Sequence, residues 1–180
     1  MAEKVSEKMT AGEKKFTIIL ASLALIAIII VILVYVPVGG DRSKIRREFG
    51  NLDKKHVFES ISYDEVIEKI NKGETFQLFI GSSFTVSDKS FAYEANQLAK
   101  EYNVEKIYYL RLYKLTNIQI SNLKAETSVY VEFPSLFYFE YDEDLNKSYA
   151  YNISGLKNPS EYGNNWQLLL DQYFQECYKK

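Results

Sequence analysis

The chain has little that ordinary catalysis needs. One cysteine and one histidine, Cys177 and His56, stand in 180 residues. A lone thiol forms neither an internal disulfide nor a dithiol redox pair. A lone imidazole excludes a His-rich metal centre, so no metal site is expected. No glycine-rich phosphate loop occurs among the eight glycines. No repeat or low-complexity tract is present, and no cofactor is indicated. Charge of neither sign dominates, with 22 Lys+Arg against 24 Asp+Glu. A nucleic-acid binder would gather positive charge on its folded face, so nucleic acid is not an expected partner.

What is present is a charge-free run, FTIILASLALIAIIIVILVYV, over residues 16–36. At about 1.5 Å per residue it is long enough as a helix to cross a hydrocarbon core of about 30 Å. Backbone groups in lipid must bond internally, so the run must be helical. The alternative is a cleaved signal peptide, whose apolar region is typically about 7–15 residues. This run is longer, and VYVPVGG offers only a weak small-residue cleavage site. A retained single-pass signal-anchor over residues 16–37 is therefore expected, with the lipid bilayer as its partner. No cysteine follows the run, which excludes a lipid-modified one as the anchor.

Residues 1–15 form an N-terminal tail ending in Lys14-Lys15. Six basic residues on the other flank oppose the usual positive-inside rule. The short tail favours a cytoplasmic N-terminus and an extracytoplasmic C-terminal domain. Residues 38–57 read as a basic juxtamembrane linker, with room for a short helix over 43–49. Residues 41–55 carry six basic and three acidic groups, whereas residues 56–180 carry twelve and eighteen. The basic stretch suits anionic headgroups, and a solvated linker explains it equally.

The domain proper is expected over residues 58–180. Val66, Ile67 and Ile70 recur at helical spacing. Ser62 and Glu65 have the spacing of a capping box, and Ile61 with Val66 that of a hydrophobic staple. Lys72-Gly73 closes this helix. TFQLFIG reads as a strand, and Phe91, Ala95, Leu98, Ala99 and Tyr102 mark a helix over 87–102. KIYYLRL over 106–112 is a second strand. Residues 116–126 are ambiguous, with space for a short helix. VYVEF leads to Pro134, SLFYFEY follows as a strand, residues 142–146 as a turn, and residues 147–153 as a further strand. Trp166, Leu169, Leu170, Tyr173, Phe174 and Cys177 form the stripe of a last helix. The order αβαβ then ββα predicts a parallel pair with a crossover helix and an antiparallel pair. The fold class is α/β, a small mixed sheet with helices on both faces.

That order, FIGSSFTVSDKSFAYEANQLAKEY after an apolar strand, and the later Phe133-Pro134-Ser135-Leu136 resemble the thioredoxin-like family. The form is similar to the bacteriocin-transport accessory-type branch. The resemblance covers residues 58 to 178. It implies a thioredoxin-like fold, a cis proline at Pro134, and Thr85 and Asp88 at the places of the two cysteines. Disulfide exchange needs a thiolate and a resolving thiol, and Thr85-Val86-Ser87-Asp88 has neither, so no catalytic residue is expected. Thr85, Ser87 and Asp88 suit helix capping and the positive end of the helix dipole. Cys177 reads as a buried small hydrophobe.

The resemblance places a partner-binding groove at Phe84, Thr85, Val86, Phe133, Pro134 and Ser135. Phe84 and Phe133 flank the helix start either as an exposed apolar patch or as core. Three functions fit: a redox-inactive protein- or peptide-binding module on a membrane, a structural or assembly subunit of a larger membrane complex, or an enzyme of another class.

Overall fold

The charge-free run forms α1, Ala11–Tyr35, in the computed structural model of the chain. The structure describes residues 11–35, 40–127, 132–144, 147–154 and 165–178. Side chains of α1 described over 15–28 are all exposed. Among the described residues, no helix is long and apolar enough to cross a membrane.

Two compact units divide the chain, Met1–Gly39 and Gly40–Lys180. The second begins with α2, Asp41–Phe49, which Gly50 ends in a left-handed conformation at φ 78°. Its Ile45 and Phe49 are fully buried. α2 covers the short helix for which the expected 38–57 linker had room over 43–49. α2, Leu52, His56 and Val57 all belong to the fold, and burial of these side chains from water ties them down.

After α2 come β1 (Phe58–Ser60), α3 (Tyr63–Asn71), β2 (Phe76–Gly81), α4 (Val86–Glu101) and β3 (Ile107–Arg111). A 3-10 turn over Leu112–Lys114 leads to α5 (Asn117–Thr127), β4 (Ser135–Asp142), β5 (Lys147–Ser154) and α6 (Asn165–Tyr178). The ambiguous stretch 116–126 thus holds α5. The segment expected as VYVEF lies mostly outside the described residues, as does part of the 142–146 turn. β1 was missing from the sequence reading, because three residues are too few to show a period.

The sheet order is β1-β3-β2-β4-β5. β1, β3 and β2 run parallel, while β4 and β5 are antiparallel to their neighbours. Every residue of β2 is buried, as expected of a central strand covered on both faces. One face holds Ile45, Phe49, Phe58, Phe79, Phe91, Tyr109 and Phe174, beneath α2, α4 and α6. The other holds Val66, Ile70, Leu78, Ile80, Leu110, Leu123 and Phe137, beneath α3 and α5.

Local chemistry agrees with these elements. Ser62 accepts from the Glu65 backbone and the Glu65 carboxylate accepts from that of Ser62, completing the capping box. Ile61 and Val66 share one cluster. On α6 the stripe is buried except at Leu169, which is exposed. Gly81 ends β2 where the Phe79 ring lies so close that an added Cβ would stand 2.5 Å from it.

Candidate functional site

Three connections meet at one end of the sheet. β2 passes through Gly81, Ser82, Ser83 and Phe84 into α4, and β3 passes into the 3-10 turn at Leu112. The third reaches β4 through Phe133 and Pro134. Register places them together: Gly81 pairs with Arg111 and Ile80 with Ser135. The carboxyl ends of parallel strands are where ligands bind in open α/β sheets.

α4 starts on a polar cluster. Thr85 is its N-cap, in extended conformation. The Thr85 hydroxyl accepts the Asp88 backbone N–H at 3.0 Å and donates to Asp88 Oδ1 at 2.7 Å. Asp88 Oδ2 accepts from the Ser82 backbone N–H at 2.7 Å and the Ser82 hydroxyl at 2.8 Å. The buried carboxylate therefore accepts three hydrogen bonds from Ser82 and Thr85. It also faces the positive end of the α4 dipole. Capping was expected of Thr85 and Asp88. What escaped the sequence was that Asp88 reaches back across the loop to Ser82, a contact set by the turn at Gly81.

Around this cluster the surface is apolar. Phe84 is 74% exposed and Val86 82% exposed. Phe84 lies against Tyr113 of the 3-10 turn, with ring centroids 5.1 Å apart, and Tyr113 is itself 48% exposed. The alternative for Phe84 is resolved in favour of exposure. Phe133 is half-buried against the α3 and α5 face. Pro134 is buried, and the Phe133–Pro134 bond is cis. Ser135 is fully buried and its hydroxyl donates to the Glu132 carbonyl. Of the six expected groove residues, Phe84, Thr85 and Val86 offer side chains to solvent. Phe133 does so in part, whereas Pro134 and Ser135 are buried. Tyr113 was missed, since a tyrosine two residues past a strand carries no local signal.

The deeper neighbours of the site are structural. Tyr109 is buried beneath it, and burial pushes its phenol well above the ordinary 10. Arg111 bonds Glu48 through Nε at 3.0 Å and Nη2 at 3.0 Å, and donates from Nη1 to Ser60 at 2.7 Å. Burial acts to lower its pKa, but the Glu48 carboxylate outweighs this and holds the guanidinium above its ordinary range. Among the described residues no group of three or more His, Cys, Asp or Glu could hold a metal ion. Cys177 is buried on α6, so one thiol, away from solvent, is the whole thiol chemistry of the chain.

The chain matches no known protein family, and no curated protein matches it at a significant level. Solved structures similar to it include oxidised thioredoxin O2 from Arabidopsis thaliana. That protein is 14% identical, with 68% of this chain and 96% of that chain covered and a TM-score of 0.46. Two crystal forms of ERdj5 are 13% and 12% identical, each with 71% of this chain and 16% of that chain covered and TM-scores of 0.41. The strand order, the helices on both faces and the proline leading into β4 opposite the start of α4 form the arrangement the resemblance implies. The described part of residues 40–178 has a thioredoxin-like fold.

Proposed function

We propose that the chain is a membrane-anchored, redox-inactive thioredoxin-like module that binds an extended apolar segment of a partner protein. The observation that carries this reading is the exposed Phe84–Tyr113 pair with Val86, at the end of the sheet where the three connections converge. Exposed aromatics suit an apolar partner segment, because rigid rings lose little conformational freedom on contact. The hydroxyl and carboxylate at Thr85 and Asp88 are spent on one another and on Ser82, leaving no nucleophile there.

Anchoring rests on the charge-free run 16–36, and α1 extends through most of it. The short tail with Lys14-Lys15 supports a cytoplasmic N-terminus and an extracytoplasmic domain. An accessory role of the kind implied by the bacteriocin-transport accessory-type resemblance is consistent with both.

The test is titration of the purified full-length chain in detergent with a permanently unfolded, thiol-blocked polypeptide. Binding should weaken roughly tenfold or more in Phe84→Ser and Tyr113→Ser, the order expected for central aromatic contacts. Equal affinity in wild type and both variants would remove this surface from the account. In the same preparation, disulfide reduction with dithiothreitol should not exceed the uncatalysed rate. Turnover surviving Cys177→Ser would contradict redox inactivity.

A further inference from the structure

Residues 41–55 carry three acids, and the fold uses all three internally. Asp41 accepts from the Ser60 backbone at 2.6 Å and from the Ser60 hydroxyl at 2.5 Å. Glu48 pairs with Arg111. Asp53 pairs with Lys100, whose hydrogen bond lowers the Asp53 pKa. The cations of the same stretch face outward instead. Arg42, Lys44, Arg47, Lys54 and Lys55 are exposed, and none joins the ion pairs found among the described residues. Asp41 and Glu48 are thus half-buried and Asp53 is exposed but paired, whereas five cations of the stretch are exposed outside these ion pairs.

The 54–56 turn and the start of α2 are neighbours. His56 Nε2 lies 2.8 Å from the Arg42 carbonyl, which brings the 54–56 turn beside the first turn of α2. Ile45 and Phe49 fix the helix on the domain, so the cations are presented by a rigid support and not by a flexible linker. The sequence leaves only four residues, 37–40, between the apolar run and α2.

We propose that Arg42, Lys44, Arg47, Lys54 and Lys55, on α2 and the turn beside it, dock this end of the domain on the anionic phospholipid headgroups of its own membrane. The inference rests on the membrane anchoring proposed above. Lipid headgroups are favoured over a soluble polyanion because only four residues separate the apolar run from α2 in sequence and the remainder of the domain, residues 56–180, carries an acidic excess. That excess is repelled by an anionic surface, so attraction through this end alone gives the domain a preferred orientation.

The experiment uses the full chain in lipid nanodiscs. A dye at Asn51→Cys, exposed between α2 and the 54–56 turn, transfers energy to an acceptor-labelled lipid, and Cys177 is buried away from labelling. Transfer should be higher in discs of phosphatidylglycerol and phosphatidylcholine than in phosphatidylcholine alone. It should fall to the neutral-lipid level in about 1 M salt, where the Debye length is about 3 Å. Each of R42Q, K44Q, R47Q, K54Q and K55Q should weaken docking roughly fivefold. Circular dichroism should show each variant folded, since these side chains are exposed. Equal transfer in both lipids by a disc-bound chain would overturn this inference and leave the anchor standing. A chain that does not co-elute with discs would overturn the anchor and this inference together.

Discussion

Asp88 holds the start of α4 together. It is buried, and its two oxygens satisfy the Ser82 backbone N–H and the hydroxyls of Ser82 and Thr85. Removing it leaves a buried N–H unpaired and loses bonds to a charged acceptor. Asp88→Ala should cost about 2–3 kcal/mol in urea denaturation, and Asp88→Asn less, since one oxygen remains. A loss below about 0.5 kcal/mol would place Asp88 among ordinary surface residues. Phe84→Ser, at an exposed position, should change stability little. The two residues thus separate structure from binding within one loop. Of this site, the capping residues were legible in the sequence because a Thr-x-x-Asp spacing is local. Tyr113 was not, because its meeting with Phe84 depends on the sheet register that brings β3 beside β2.

α2, for which the sequence leaves room over 43–49, shows how the packing of an element can be hidden by its own charge. Six of its nine residues are ionisable, so composition suggested a solvated linker. Ile45 and Phe49 are only two apolar positions, too few to establish a helical face. Yet Phe49 stands among Phe58, Phe79 and Tyr109, with ring centroids 5.1 to 6.3 Å away. Phe49→Ala should therefore destabilise the domain by about 3–5 kcal/mol, read from the urea midpoint. A change within about 0.5 kcal/mol would restore the linker reading. α3 was the opposite case. Its capping box and staple lie within residues 61–66 and its closing glycine at 73, and the helix appears where that chemistry places it. Gly73 closes it at φ 66°, with the Tyr141 ring filling the space a Cβ would take.

At the scale of the whole domain, both faces of the sheet are covered and the core is rich in aromatic rings. Three tyrosines in it have phenols raised above the ordinary 10. Burial is the first cause for Tyr109, Tyr173 and Tyr178. The sign follows from proton linkage. Below about pH 10, folded and unfolded chains both keep these protons. Above it the unfolded chain releases them while the folded chain retains them, so stability falls as pH rises. The urea midpoint should drop from about pH 10 upward, with phenolate absorbance developing as the chain unfolds. Full phenolate absorbance by a still-folded chain would contradict the burial of these rings. The architecture was legible in outline, because helices and strands alternate with clear periods from residue 62 onward. The edge strand β1 and the cover provided by α2 were not, because they depend on contacts with β3 and the core that no local pattern encodes.

The account's central claim is that the start of α4 is a contact surface in a tethered module. The measurement that tests it most directly is site-specific photo-crosslinking of the full chain in native membranes. A photoreactive residue at Phe84 is compared with one at Leu168, an exposed apolar residue on α6. The account predicts a discrete protein adduct from position 84 that disappears with Tyr113→Ser, and none of matching size from position 168. Identical adducts from both positions, or none from position 84, would contradict it.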